Sequence, residues 1–563
     1  MFLLEALKRH EARHRFKPFL LSCGNGLTKQ FSFGDALAET RRWAHILEQA
    51  QVRQGDIVFI ALQHRHEIYF CFLGAMWLGA VPSVISFPTP KQDADLYWRE
   101  YRAMFAQVQP RALVTYRENI PALREALAGH ACAVLDADDP KLIGAVALQD
   151  SEPVVIAPDA PAFLQFSSGT TGLRKGVALS HAQVARHMEA YSRVLGFGGK
   201  DVVASWLPLY HDMGLIACFL LPLHTGATIV SLDAFEWVAQ PWQLLQSMDT
   251  YRATFAWLPN FALQHTIRTL PDERGFDLGH VRAFINCSEV CKPETVRGFL
   301  DAMHVHGVRP EQLHTSYAMA EAVFAVTQSR LDRAPRTIAV DASLLDRFSR
   351  ARVVDPTYRN GRSFLSCGKV LDDLEVRIVP HAASTADNVP TAIPGEIAVG
   401  EIQIRGGYLF SGYFRNDEAT HAAMTEGWYR TGDIGFIEGG ELFVCGRLKE
   451  MLIVHGRNYY ANDIEAIVGS VAGIRPGRSV AFGIDDPDSG SEEAIVLAET
   501  EATDTQARAA LQREVKGAVL NRLDLTLKSV VLVEPGTLVK TTSGKLCRGT
   551  NKTRYLHPEP AEA

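Results

Sequence analysis

Residues 161–176 read PAFLQFSSGTTGLRKG. An apolar run of strand length passes straight into a loop of Ser, Thr and Gly that closes on Lys175. Such small residues leave backbone N–H groups and hydroxyls open to phosphate oxygens, with a cation beside them. The GxxxxGK[ST] spacing of Walker A is absent, and a loop of this composition alone is as often an ordinary turn. What surrounds it decides the fold. DIVFIAL (56–62), VPSVIS (81–86), ALVTY (112–116) and CAVLDA (132–137) alternate with helical stretches. That rhythm predicts α/β layers with largely parallel strands, whose carboxyl ends gather ligands.

Beyond about residue 360 the texture changes. EVRIV (375–379), GEIQIRG (400–406), GELFVCGR (440–447) and MLIVHGR (451–457) are short strands between Gly turns, predicting a small barrel-like β subdomain. RSVAFGI (478–484), EAIVLAE (493–499), a helix over 504–523 and SVVLVEP (529–535) predict a compact α+β unit at the end. At 563 residues the chain exceeds one hydrophobic core, so two domains are expected.

A net charge of −7 gives no electrostatic basis for binding nucleic acid. Nine scattered cysteines lack the pattern of a disulfide framework and point to a reducing cytoplasm. Cys287 and Cys291 stand four apart without further ligands at zinc spacing, and read as buried thiols. The N-terminal residues read as an amphipathic helix, not a signal peptide, and 214–230 is broken by Pro222, His224 and Thr225, so no membrane span is expected. His64, Arg65, His66 and Glu67 read as surface near a helix start, since His64 and His66 would not share a helix face.

Two further segments bear on chemistry. GWYRTGDIG (427–435) fixes Asp433 in a Gly-flanked turn, where a carboxylate can accept from both hydroxyls of a ribose, though an Asp-Gly hairpin reads equally well. TTSGKLCR (541–548) presents Lys545, an ammonium able to meet negative charge building on a phosphate, though most such lysines are simply solvated.

In this order, from about residue 30 to residue 550, these segments resemble the adenylate-forming superfamily of acyl-CoA ligases, peptide-synthetase adenylation domains and luciferases. The resemblance implies an ATP-dependent ligase that adenylates a carboxylic acid. Ser167, Ser168, Gly169, Thr170, Thr171, Gly172 and Lys175 would form its phosphate loop. YAMAE (317–321) would place Tyr317 on adenine with Ala318 and Met319 beside the nucleotide, and Glu321 on the magnesium that bridges the phosphates. The family commonly has Gly where this chain has Ala318. Asp433 would bind ribose, with Arg447 following it, and Lys545 would be the adenylation lysine. Lys449 in GRLKEM would be the hinge between an N-terminal domain over 1–448 and a small mobile lid domain over 449–563.

Two stretches, 207–227 and 446–465, look most like fatty acyl-AMP ligases, which pass the acyl group to the phosphopantetheine thiol of an acyl carrier protein; an acyl-CoA ligase is the alternative. His211 would sit near the bound carboxylate. Forty-four residues separate Glu321 from Ser366, which implies an insertion. Its segment 330–362 holds eight Arg, four Asp and no Lys, and reads as a bracing loop ahead of a docking surface for an acidic carrier. NCSEVC (286–291) replaces the family's usual Asn-Gly-Ala-Glu-Pro beside adenine, and 251–263 would wall an apolar acyl tunnel. A non-catalytic homologue is disfavoured because Lys175, Glu321, Asp433, Arg447 and Lys545 are all present.

Overall fold

The computed structural model describes residues 2–87, 94–139, 151–166, 175–271, 274–380, 395–455, 457–486, 491–540 and 546–557. The four runs that set the α/β expectation are strands Ile57–Ile60, Val81–Val84, Ala112–Thr115 and Ala133–Asp136, paired in parallel as one sheet. The first three are buried at every residue, as parallel strands covered on both faces must be.

A nine-stranded sheet forms the second layer. Its centre runs Pro18–Gly24, Thr228–Leu232, Val202–Ser205, Phe255–Leu258, Ala283–Asn286 and Leu313–Ala318, all parallel, with antiparallel strands at both edges. The helix Glu67–Trp77 is buried on every side. Its Phe72 meets Phe163 and Phe219 at 5.8 Å, joining the layers through one continuous core. Strand Pro161–Phe166 is not part of a parallel sheet: it pairs antiparallel with Gly176–Ser180, Phe166 facing Gly176.

The polar run 64–67 is not the surface that its composition suggests. His64, Arg65 and His66 are half-buried and Glu67 is buried. Arg65 holds Glu67 at 2.6 Å and Asp138 at 2.5 Å, and His66 stacks on Phe31 at 4.7 Å. The first turn of a helix packed against helix Phe33–Gln49 on one side and the four-stranded sheet on another has little solvent face to offer.

The hairpin-rich region is a five-stranded antiparallel sheet built on Leu374–Pro380, Gly400–Gly406, Trp428–Glu438 and Glu441–Arg447, with Met424–Thr425 at one edge. The insertion forms a three-stranded sheet of Thr337–Asp341, Val353–Val354 and Gly361–Leu365 with helix Ala342–Phe348. Six of its eight arginines are paired: Arg330 with Asp332, Arg333 with Glu441, Arg336 with Glu438, Arg350 with Glu396, Arg352 with Asp341, and Arg362 with both Asp346 and Asp463. Cations already committed to neighbouring carboxylates favour the bracing reading over a docking surface. At its far end Gly368 has φ +87°, and a Cβ there would lie 2.0 Å from the Gln328 carbonyl carbon, so only glycine fits.

After residue 449 come the hairpin Met451–Val454/Arg457–Tyr460, helix Ala461–Gly469, and a sheet of Ile474–Asp486, Ser491–Thr500 and Leu527–Val533 covered by helix Thr505–Leu523. Polar links back to the large body include Lys292 Nζ to Asn462 O at 3.3 Å, Asn458 Nδ2 to Ser349 Oγ at 3.1 Å, and Arg362 to Asp463 at 3.6 Å. Among the described residues no helix is long and apolar enough to cross a membrane.

Burial of histidines gives the fold a pH dependence. Desolvation holds His187 down at about 3, and His224 and His314 at about 4, all below the ordinary 6.5. His187 Nε2 accepts the Ala325 N–H at 3.0 Å and must be neutral to do so. As pH falls below 6.5 the unfolded chain takes up these protons and the native one does not until about 4 or lower. The unfolding free energy should therefore drop on acidification between those limits, by about 1.4 kcal/mol per pH unit for each histidine. Urea unfolding at pH 7 and pH 5 tests this; equal or higher stability at pH 5 would show that protons reach these rings without unfolding.

Candidate functional site

The strand Leu313–Ala318 delivers Tyr317 to the carboxyl edge of the large sheet. The small antiparallel sheet brings Asp433 and Arg447 to meet it, because Asp433 pairs directly with Arg447 across two strands. The Tyr317 hydroxyl donates to Asp433 Oδ2 at 2.6 Å, and Arg447 Nε donates to Asp433 Oδ1 at 3.1 Å. Thr431 Oγ1 accepts the Asp433 N–H at 3.0 Å and fixes the turn. Burial and then the Asp433 charge push the Tyr317 phenol well above its usual range, so it remains a donor.

Glu321 lies in a short 3-10 turn just beyond this strand, and its Oε1 accepts the Tyr413 hydroxyl at 2.9 Å. Lys175 Nζ stands 4.7 Å over the ring of the same Tyr413. One tyrosine thus couples the end of the Ser/Thr/Gly loop to the carboxylate. A carboxylate is the hard oxygen donor that magnesium takes, so Glu321 has the chemistry for that ion, although neither it nor Lys175 is among the residues lining the cavity described below.

His211 ends the turn between strand Val202–Ser205 and the helical segment Met213–Leu220, with Asp212 as N-cap. His211 Nδ1 lies 2.6 Å from Asp212 Oδ1 and accepts the Met213 N–H at 3.4 Å, so the ring is engaged through Nδ1. The turn is tight: a Cβ on Gly214 would come within 2.3 Å of the Pro208 carbonyl oxygen. His211, Tyr317, Ala318, Asp433 and Arg447 all line one cavity of 2290 Å³, which extends to Lys540 of the C-terminal unit. Met319 is half-buried next to it, its N–H bonded to Phe324 O at 2.8 Å. Lys449 is exposed in the turn Leu448–Glu450, whose Glu450 pairs with Arg548.

Of the remaining candidates, Ser167, Ser168, Gly169, Thr170, Thr171, Gly172 and Lys545 lie outside the described residues. The flanks of both segments are in place. Strands 161–166 and 176–180 pair up to Phe166 and Gly176, and Lys540 pairs with Leu546. Segment 286–291 does border the cavity through Ser288 and Cys291, but Cys287 is buried, its Sγ 3.1 Å from Met213 Sδ. Cys287 and Cys291 are both buried thiols. Of 251–263, Pro259, Asn260 and Phe261 reach the cavity while Trp257 is core. Beside them Trp206 stacks on Trp237 at 3.7 Å and 4°, with Phe261 edge-on at 6.2 Å, an apolar wall suited to a hydrocarbon. Sequence reasoning missed Tyr413 and Asp212. Tyr413 had no local signal, because its partner Glu321 is distant in sequence.

The AMP-binding enzyme family matches residues 7–414 of this chain. The 4-hydroxyphenylalkanoate adenylyltransferase of Mycobacterium tuberculosis is 30% identical over 558 residues, covering 92% of this chain and 87% of that one. The long-chain-fatty-acid–AMP ligase FadD26 of Mycobacterium bovis is 30% identical over 536 residues, 89% and 87% of the two chains. Among solved structures, one from work on fatty acyl-adenylate ligases of E. coli and L. pneumophila superposes with a TM-score of 0.87 at 25% identity, covering 98% of this chain and 97% of that one.

Proposed function

This chain belongs to the AMP-binding enzymes, the adenylate-forming ligases, and from that premise we propose that it adenylates a fatty or related carboxylic acid with ATP and passes the acyl group to the phosphopantetheine thiol of an acyl carrier protein. The observation that carries the reading is the convergence of Tyr317, Asp433, Arg447 and His211 on one cavity with an aromatic wall. Asp433 receives the ribose hydroxyls, Tyr317 supports the adenine, and residues 167–172 with Lys175 hold the phosphates. Magnesium, when bound, would be held by Glu321 and would neutralise phosphate charge.

The acid's carboxylate oxygen attacks the α-phosphorus in line while the bond to the pyrophosphate oxygen breaks. Lys545 meets the negative charge that builds between the entering and leaving oxygens, and His211 orients the carboxylate. In the second step the unit beyond Lys449 turns, a thiol sulfur bonds to the acyl carbon, and AMP departs. The protein is read as acting in the cytoplasm.

The test is a product assay with purified protein, Mg-ATP and a panel of acids, given either CoA or a phosphopantetheinylated carrier protein. Acyl-AMP that persists with CoA and is consumed by the carrier is the expected result. Rapid acyl-CoA formation would instead assign the chain to the CoA ligases.

A further inference from the structure

Part of the cavity wall that the C-terminal unit supplies comes from residues 475–479 and 536–540. The first of these is a break in a strand. Ile474 pairs with Thr500 and Ser479 with Ala498, so residues 475–478 bulge out of the ladder between them. Gly477 takes a φ of +67° there, and Pro476 has no N–H to give the ladder. The bulge sets Arg475 and Arg478 in the same wall as Lys540, whose backbone is held by the antiparallel bridge to Leu546.

These three cations have donors to spare. Arg475 Nη1 and Arg478 Nε stand 3.7 and 3.8 Å from Glu499 Oε2, near enough for attraction but beyond hydrogen-bond reach. Glu499 Oε1 is taken by the Leu538 N–H at 3.1 Å, and Oε2 is buried without a hydrogen-bond partner. Among the described residues, neither guanidinium nor the Lys540 ammonium makes a side-chain hydrogen bond. Three positive charges thus share one buried carboxylate. Glu289 of the large body adds a second negative charge to the field at Lys540, and the balance stays positive. Desolvation, and then the charge of Arg478, holds the Lys540 ammonium down at about 8, below the ordinary 10.5. Cations drawn out of water without acceptors are costly unless a ligand brings them. A phosphate group, with more charge and more acceptor oxygens than a carboxylate, meets that need best.

We propose that Arg475, Arg478 and Lys540 form a phosphate-binding site on the C-terminal unit, apart from residues 167–172 and Lys175. The inference rests on the adenylation reading only for the source of the phosphate. Pyrophosphate and the phosphopantetheine arm carry the same chemistry into the same cavity, and the experiment separates them.

Acetylation of Lys540 by acetic anhydride at pH 8, followed by mass spectrometry on the full chain, reports occupancy without requiring activity. Saturating inorganic phosphate or pyrophosphate, against chloride at equal ionic strength, should slow the reaction about fivefold or more, since a bound anion keeps the proton on the ammonium. The double variant Arg475→Gln/Arg478→Gln should lose most of that protection. No protection of the wild type overturns the site, and so does protection that the double variant retains in full. The source is read from KM values in the same variant. A raised KM for pyrophosphate in ATP–pyrophosphate exchange assigns the site to pyrophosphate. Loss of a preference for phosphopantetheine over pantetheine, in transfer from preformed acyl-AMP, assigns it to the thiol donor. If both half-reactions run with neither value changed, no reactant fills the site and the inference falls. Protection in a chain that activates no acid leaves the site standing and removes the adenylation reading.

Discussion

Lys545→Ala is expected to lower the rate of ATP–pyrophosphate exchange by about 10²- to 10³-fold, the usual cost of losing one preorganised donor to a developing charge. The same variant should melt within about 0.5 kcal/mol of the parent, because the frame around residues 541–545 is held by other groups. Lys540 and Leu546 form an antiparallel bridge. Asn551 accepts the Val539 N–H at 3.0 Å and donates to Val539 O and Cys547 O at 3.0 and 2.8 Å. Below that, Glu499, fully buried, accepts the Leu538 N–H at 3.1 Å. The ends of the segment are therefore tied whichever side chain stands at 545. Thiol transfer from preformed acyl-AMP should be nearly unaffected, since that step builds no charge on an α-phosphate being attacked. Normal exchange in Lys545→Ala would remove the lysine from the first step, while a parallel loss in both half-reactions would show that it serves the segment's structure.

What could be read in the sequence follows from the range of the interactions involved. Strands such as IVFI (57–60) and ALVT (112–115) are short apolar runs bounded by turns, and burial on both faces makes them recognisable one at a time. Pairing direction is not local, so the antiparallel partnership of 161–166 with 176–180 does not show in either run. Tyr317 and Asp433, which we propose face the nucleotide, were legible through segments that resemble a known family, and the structure joins them in one hydrogen bond. Tyr413, which ties Glu321 to Lys175, matched no such segment and emerges only when two distant parts of the chain meet. His64 was misread for the opposite reason. Polar composition signals surface only when the backbone is free to turn outward, and the helix it precedes is enclosed on all sides.

Asp433→Ala should be the most damaging change at the nucleotide end, in binding and in stability together. An ionised carboxylate has about four lone-pair sites. Tyr317 and Arg447 occupy two of them, one on each oxygen, and two remain for the hydroxyls of a ribose. Each hydrogen bond to a charged group is worth about 1.5–3 kcal/mol, so losing the ribose pair should reduce kcat/KM for ATP by a hundredfold or more. The buried Tyr317 hydroxyl would lose its acceptor, at a cost of about 1–3 kcal/mol in unfolding free energy. Asp433→Asn separates the two effects. Its amide oxygen can still accept from Tyr317, so most of the stability should return. Its uncharged oxygen and its NH2 group cannot serve both Arg447 and the ribose, so the ATP defect should persist. Titration with ATP and urea unfolding of both variants would decide the matter. If Asp433→Asn restored ATP affinity along with stability, the carboxylate would act on the nucleotide only by holding Tyr317 in place, and the ribose contact would have to come from elsewhere in the cavity.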